Sequence, residues 1–302
     1  MIEPAPCAWS AVTVVGCGYV GRRVARYWRG RGIRVAGVVC SAESAARLRR
    51  DDIEPIVADL DIRSESRSWP GAASLLYYFA APPQTGRADT RLPRFLDNLD
   101  STTGMRLVLI STTGVYGDCA GRWIDEKEPP RPATDRARRR LDAERSAQRW
   151  GRRNGVPVVV LRVSGIYGPG RLPIARLRRG MLVPEAAQSP FTNRIHVDDL
   201  VTACVAAADQ GVPGSVFNVT DGAPERMTDY FLKVAAITGV APPQVTSLTE
   251  AQRAASPGLS AYFAESRRIG NAKLRTELGV ELRYPNLDCG LAASIDSCTL
   301  SS

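Results

Sequence analysis

Gly16, Gly18 and Gly21 stand in VTVVGCGYVGRRV as G-x-G-x-x-G, directly after a β-rich apolar run and at the start of an amphipathic stretch. That placement suits the phosphates of a dinucleotide. Gly16 permits a tight turn, Gly18 lets the backbone approach a pyrophosphate, and Gly21 allows close packing of the helix that follows. The first amides of that helix, around Tyr19 and Val20, then meet the negative charge. The second β-rich run ends VVCS, so Cys40 and Ser41 occupy the place where an acid would accept the ribose hydroxyls of NAD. With no carboxylate there to repel a 2′-phosphate, and with Arg22, Arg23 and Arg47 near, NADP(H) is expected in preference to NAD(H). The third run ends VADL, which puts Asp59 and Leu60 at the adenine edge; Asp59 reads equally well as a turn cap.

A second stretch, TDRARRRLDAE from Thr134 to Glu144, carries four arginines in eleven residues. It reads either as a basic patch for a polyanion or as a helix face with catalytic work. The whole chain has 40 basic and 31 acidic residues, a formal charge of +9, and only Lys127, Lys233 and Lys273 are lysines. The arginines are spread along the chain rather than gathered in one block, so no nucleic-acid partner is expected.

These groups need a scaffold. Short β-rich runs begin near residues 11, 33, 54, 74, 105, 156 and 215, and longer amphipathic stretches separate the early ones. Apolar runs without clean alternation suit strands covered on both faces, which implies an α/β fold with a doubly wound parallel Rossmann sheet. Residues 1–165 are expected to form the dinucleotide-binding domain. Residues 166–302 are expected to form a smaller substrate-binding part, with a strand near 215–219 returning to the main sheet. A 44% hydrophobic fraction over 302 residues excludes disordered and fibrous classes. Seven cysteines, an odd number with no C-x-x-C pair, fit neither a disulfide framework nor a zinc site, so no metal is expected. The N-terminal MIEPAPCAWS has no basic region of a signal peptide, and no apolar run is long enough to span a bilayer. A cytoplasmic location without membrane attachment is the expectation.

The segments GCGYVG, VADL, YYFAAPP, LISTTGVYGD, LRVSGIYGPGR, RIHVDDLV, FNVTDGAP and NAKLRTELGVELRYP, in this order, resemble the extended short-chain dehydrogenase/reductase family, in particular its atypical members. The resemblance covers nearly the whole chain. It implies that Ala80 and Ala81 line the dinucleotide at the end of the fourth strand. Thr112, four residues before Tyr116 in STTGVYG, is implied to polarise a substrate carbonyl, and the turn from Val163 to Gly170 to flank the nicotinamide. His196 in HVDDL is implied to be chiefly structural.

Typical members carry a Tyr-x-x-x-Lys pair on the following helix, often with a Glu four residues beyond the lysine. If Glu144 is that Glu, the lysine position falls on Arg140 and the tyrosine position on Arg136. Arginine stays protonated and cannot shuttle a proton near neutral pH as a tuned tyrosine does. Arg140 retains the capacity to donate to ribose hydroxyls or a phosphate; Arg136 is placed to bind a substrate anion or to hold developing negative charge. A replacement proton donor is sought in Tyr116 or Tyr167, at strand ends, or in Asp125 and Glu126 of the WIDEKEPP loop. The expected function is hydride transfer on a small polar substrate by a monomer or homodimer. The alternative is a noncatalytic NADP(H) sensor.

Overall fold

The computed structural model describes residues 9–62, 74–99 and 102–295. Cys7, Cys298 and most of the N-terminal stretch MIEPAPCAWS lie outside these residues.

Seven strands, β1 (Ala11–Val15), β2 (Arg34–Val39), β3 (Glu54–Val57), β4 (Leu75–Tyr78), β5 (Arg106–Thr112), β6 (Val158–Val163) and β7 (Val216–Val219), form one sheet. Their order is β7-β6-β5-β4-β1-β2-β3, and every pairing is parallel. Strands β1, β4 and β6 are buried along their whole length, as layers on both faces require. Edge strand β3 is part-exposed and carries Pro55, whose missing N–H a sheet edge tolerates.

Alternate residues of the strands feed two cores. Val12, Val14, Val108 and Leu161 face the helices α1 (Tyr19–Arg29), α2 (Ala42–Arg50) and α5 (Val197–Gln210), through residues such as Val24, Leu48 and Leu200. Val15, Leu76, Leu107 and Val160 face α3 (Arg91–Asp97) and α4 (Asp135–Asn154), through Phe95, Ala143 and Trp150. The doubly wound Rossmann arrangement expected from the apolar runs is therefore the observed one. β7 completes the sheet beside β6, pairing Phe217 with Leu161.

Helix α4 is the longest of these. Thr134 Oγ1 caps its start by accepting from Ala137 N at 3.2 Å, and Gly155, with φ +66°, closes it. Near its end Gly151 lets it lie against β6, since a Cβ there would fall 2.4 Å from Val158 Cγ2. Beyond the sheet a third core gathers Tyr167, Leu177, Phe231, Leu259, Phe263 and Leu291 around α6 (Met227–Thr238). The pairing of Trp123–Ile124 with Arg268–Ile269 ties this region to the segment before α4.

Candidate active site

The chain order reverses at β1, which has β2 on one side and β4 on the other, and ligands bind open α/β sheets at the carboxyl ends of such strands. Gly16 sits there with φ +80°, and a Cβ on it would fall 2.5 Å from Ala80 N. Any other residue would be strained in backbone and would push the ends of β1 and β4 apart. A Cβ on Gly21 would meet Gly16 O at 2.9 Å, whereas one on Gly18 would meet nothing within 4 Å. The face of Gly18 is thus open for close approach of a ligand. Helix α1 starts with no side-chain cap and no acid in its first turn, leaving its first amides for an external acceptor. Val20 is buried in the first core. Tyr19 donates through its hydroxyl to Pro169 O at 2.9 Å, joining α1 to the turn beyond β6. These features fit the phosphates of a dinucleotide.

At the end of β2, Cys40 is exposed and Ser41 Oγ caps α2 by accepting from Ser44 N at 3.2 Å. A cavity of about 150 Å³ beside it is bordered by Arg22, Arg23, Arg26 and Arg47, with no carboxylate in its lining. Behind it Asp51 accepts from Arg22 at 2.7 Å and from Arg26 at 2.6 Å, while Arg47 pairs with Glu43 and donates to Ser44 Oγ at 2.7 Å. Asp59 is exposed and caps a turn, accepting from Asp61 N at 2.9 Å. Leu60 packs on the second core. Ala80 is buried, and the exposed Ala81 has its carbonyl bonded to Arg91 Nη1 at 2.8 Å.

A larger cavity, about 380 Å³, opens at the ends of β5 and β6 and brings together Thr112, Val163, Arg136 and Arg140. Thr112 is the last residue of β5 and pairs in register with Val163. Its Oγ1 accepts from Gly114 N at 3.2 Å, which leaves its own proton free to donate. Arg140 Nη1 donates to Ile110 O at 3.0 Å and to Ala80 O at 3.3 Å, bridging the ends of β5 and β4. Burial, opposed by nearby Asp89 and reinforced by the charge of Arg136, pulls Arg140 down to about 10, still protonated at neutral pH. Glu144, one turn further on, is buried and accepts from Ser111 Oγ and from Arg162 Nη2, the latter at 2.9 Å. This fixes α4 on β5 and β6, with Arg136 exposed at the cavity.

Other residues singled out from the sequence lie elsewhere. Tyr116 is buried and donates to Asn218 Oδ1 at 2.7 Å; burial pushes its phenol up. Tyr167 is buried in the third core, with its hydroxyl 3.4 Å from Asn286 O, and burial raises it as well. Asp125 and Glu126 border a separate depression with Lys273, and Glu126 Oε1 accepts from Asn218 N at 2.7 Å. His196 is fully buried, caps α5 by accepting from Asp198 N at 3.2 Å, and packs its ring 4.0 Å from that of Tyr284.

The far wall of the larger cavity comes from Ser164, in the Val163–Gly170 turn, and from four residues that sequence reasoning did not single out: Arg194, Tyr262, Glu265 and Arg267. One signal was present for Tyr262. In the helix Pro257–Phe263 the buried residues are Leu259 and Phe263, four apart, so the adjacent Tyr262 falls off that face. Its phenol has no hydrogen-bond partner among the described residues.

The model of the NAD dependent epimerase/dehydratase family matches residues 12–220. Among curated proteins, Protein YeeZ of Escherichia coli (strain K12) is 23% identical over 283 residues, covering 91% of this chain and 96% of that protein. A 4-hydroxy-2-methyl-3-oxo-4-farnesyl-3,4-dihydroquinoline-1-oxide ketoreductase of Stigmatella aurantiaca is 26% identical over 246 residues, 74% of this chain and 72% of that one. Among solved structures, a functionally unknown conserved protein from Silicibacter pomeroyi DSS superposes with a TM-score of 0.81 at 29% identity, covering 94% of this chain and 97% of that chain. MoeE5 in complex with UDP-glucose and NAD shares the fold, with a TM-score of 0.72 at 23% identity over 94% of this chain and 97% of that chain. The matched span holds the glycine loop, the ends of β4, β5 and β6 and the whole of α4, and the chain belongs to the NAD dependent epimerase/dehydratase family.

Proposed function

We propose that this protein transfers a hydride between a nicotinamide dinucleotide, NADP(H) in preference to NAD(H), and a small polar substrate held in the 380 Å³ cavity. The observation that carries this reading is the shared wall of Thr112, Val163, Arg136 and Arg140 at the sheet edge where the glycine loop also lies. Gly16, Gly18, Tyr19, Val20 and Gly21 hold the phosphates. Cys40, Ser41, Arg47, Asp59 and Leu60 border the adenosine end, where the arginine-lined cavity of about 150 Å³ receives a 2′-phosphate. Ala80, Ala81, Arg140 and Val163 border the nicotinamide half. The bound dinucleotide supplies or accepts the hydride. Thr112 donates a hydrogen bond to the substrate oxygen and keeps its proton, and Arg136 holds negative charge on the substrate. Tyr262 gives the proton, a task for which the sequence offered Tyr116, Tyr167, Asp125 and Glu126 as candidates. The part beyond residue 166 supplies substrate selection.

Parallel titrations with NADPH and NADH, followed by nucleotide fluorescence and thermal midpoint, test the cofactor assignment. Tighter NADPH binding is expected, and loosening of NADPH alone on Arg47→Gln. Equal affinity for both nucleotides overturns the preference, and binding of neither overturns the reading. The absence of a Tyr-x-x-x-Lys pair on α4 favours a second reading, a dinucleotide sensor without turnover. Loss of activity in Thr112→Ala with dinucleotide binding intact decides against the sensor.

A further inference from the structure

We infer that the substrate carries a carboxylate next to its reacting carbon, as a 2-oxo, 2-imino or 2-hydroxy acid does, and that Arg136 binds it. This rests on the reading of the larger cavity as the place of hydride transfer. The wall of that cavity holds four guanidiniums, those of Arg136, Arg140, Arg194 and Arg267, against one carboxylate, Glu265. Two of the four, Arg267 and Arg140, are hydrogen-bonded by the protein itself. Arg267 pairs with Glu265 at 2.7 Å and donates to Gly117 O at 2.7 Å. Arg140 is held on the carbonyls of Ile110 and Ala80. Arg194 lies over the ring of Tyr230 at 4.0 Å and feels the charge of Asp221.

Arg136 has no ion pair within 4 Å among the described residues, and its charge bears on Arg140 one helical turn away. Like charges at this spacing repel, and an arginine cannot relieve the repulsion by losing its proton. A bound anion relieves it. Three further donors in the same wall, Ser164 Oγ, Arg194 Nε and Arg267 Nε, are buried without a hydrogen-bond partner among the described residues. A ligand rich in acceptor oxygens satisfies them.

The position of the anion follows from α4. Arg140 is bonded to Ile110, two residues before Thr112, and Arg136 is the next residue up the same helix face. On this inference the anion that Arg136 holds stands on the atom next to the group that Thr112 polarises, both residues lining the one cavity. The planar fork of a guanidinium matches a carboxylate through two parallel N–H···O bonds. In the reducing direction the hydride forms the new C–H bond at the 2-carbon. The π pair of the C=O or C=N bond moves to the heteroatom, which takes a proton. The nicotinamide is oxidised, and the carboxylate passes through unchanged.

The test uses the full chain, alone and saturated with NADP⁺, titrated calorimetrically and by thermal midpoint with oxamate and oxalate. The neutral lactamide, inorganic phosphate and inorganic pyrophosphate serve as comparison probes. Saturable binding of oxamate and oxalate is expected. It should weaken at least about tenfold in Arg136→Gln, recover in part in Arg136→Lys, and stay unchanged in Arg138→Gln, which removes the same charge from another face of the helix. No binding of oxamate or oxalate, equal binding to Arg136→Gln, or tighter binding of phosphate or pyrophosphate than of oxamate overturns the inference. The NADP⁺ titration on the same samples separates these outcomes from failure of the hydride-transfer reading, because the anion arms are read with and without the dinucleotide.

Discussion

Tyr116 donates its hydroxyl proton to Asn218 Oδ1 at 2.7 Å, so the phenol that follows β5 faces the edge strand β7 and not the larger cavity. Its environment is that of a packing residue. Tyr116→Phe is expected to lower the unfolding free energy by about 1–3 kcal/mol, because Asn218 Oδ1 loses its buried donor. Dinucleotide affinity should not change. Tyr262→Phe should do the reverse, leaving the denaturant midpoint in place and cutting turnover by roughly 10²–10⁴ if its phenol is the general acid. Urea unfolding and turnover of the two variants check both halves.

The glycines separate folding from binding. Gly16→Ala combines a positive φ with a 2.5 Å approach to Ala80 N, and loss of stability is expected, seen as a lower thermal midpoint without ligand. Gly18→Ala meets no atom within 4 Å and should fold as the parent does. Its cost should appear only in the dinucleotide titration, as affinity weakened by about tenfold or more where the methyl group blocks the pyrophosphate.

Glu144 and Arg162 form a buried pair at 2.9 Å, with side chains 3% and 7% exposed. Glu144→Gln leaves the Arg162 guanidinium charged in the interior without its counter-ion. A loss on the order of 3–5 kcal/mol is expected, measurable by denaturant titration. The second variant Arg162→Met, made together with Glu144→Leu, should recover much of that loss, because replacing both partners removes the uncompensated charge.

Asp221 supplies a pH dependence. Burial pushes its carboxyl up to about 7, against the pull of the Ala223 N–H and of Arg194, and with Glu225 acting in the same direction as burial. An acid whose folded pKa lies above its unfolded value binds more protons when folded. Its contribution is therefore most favourable below about pH 4 and is lost as pH rises toward 7. His196 acts oppositely, since burial lowers it and its neutral form is favoured in the fold as pH rises. The difference in unfolding free energy between parent and Asp221→Asn, taken at pH 5 and pH 8, isolates the first term. Asp221→Asn should be the relatively more stable at pH 8, and an equal difference at both values would contradict the assignment.

The parts of the fold legible in the sequence were those with a periodic or steric signature. The β-rich runs near residues 11, 33, 54, 74, 105, 156 and 215 became the seven strands, because a strand buried on both faces has little choice but to be apolar throughout. The glycine loop was legible for the same kind of reason, since Gly16 and Gly21 sit where a Cβ does not fit. The strand-end tyrosines show where such reading stops. Proximity to a strand end does not say which way a side chain leaves the turn, and a 3₁₀ turn over Thr113–Tyr116 carries Tyr116 inward. The WIDEKEPP loop was expected near the substrate, but pairing of Trp123–Ile124 with Arg268–Ile269 holds it over a different depression. Arg194, Tyr262 and Arg267 had no shared spacing to betray them, because two separate stretches converge on the cavity only in the folded chain.

The helix Pro257–Phe263 and the residues up to Arg267 wall the larger cavity, yet they lie outside the span from 12 to 220 that marks the family. The cavity is thus walled in part by a stretch beyond that span, while Thr112, Arg136 and Arg194 lie within it. On the proposed reading, a graft of residues 257–267 from a relative is expected to reshape one side of the guest's room while leaving the nucleotide seat in place.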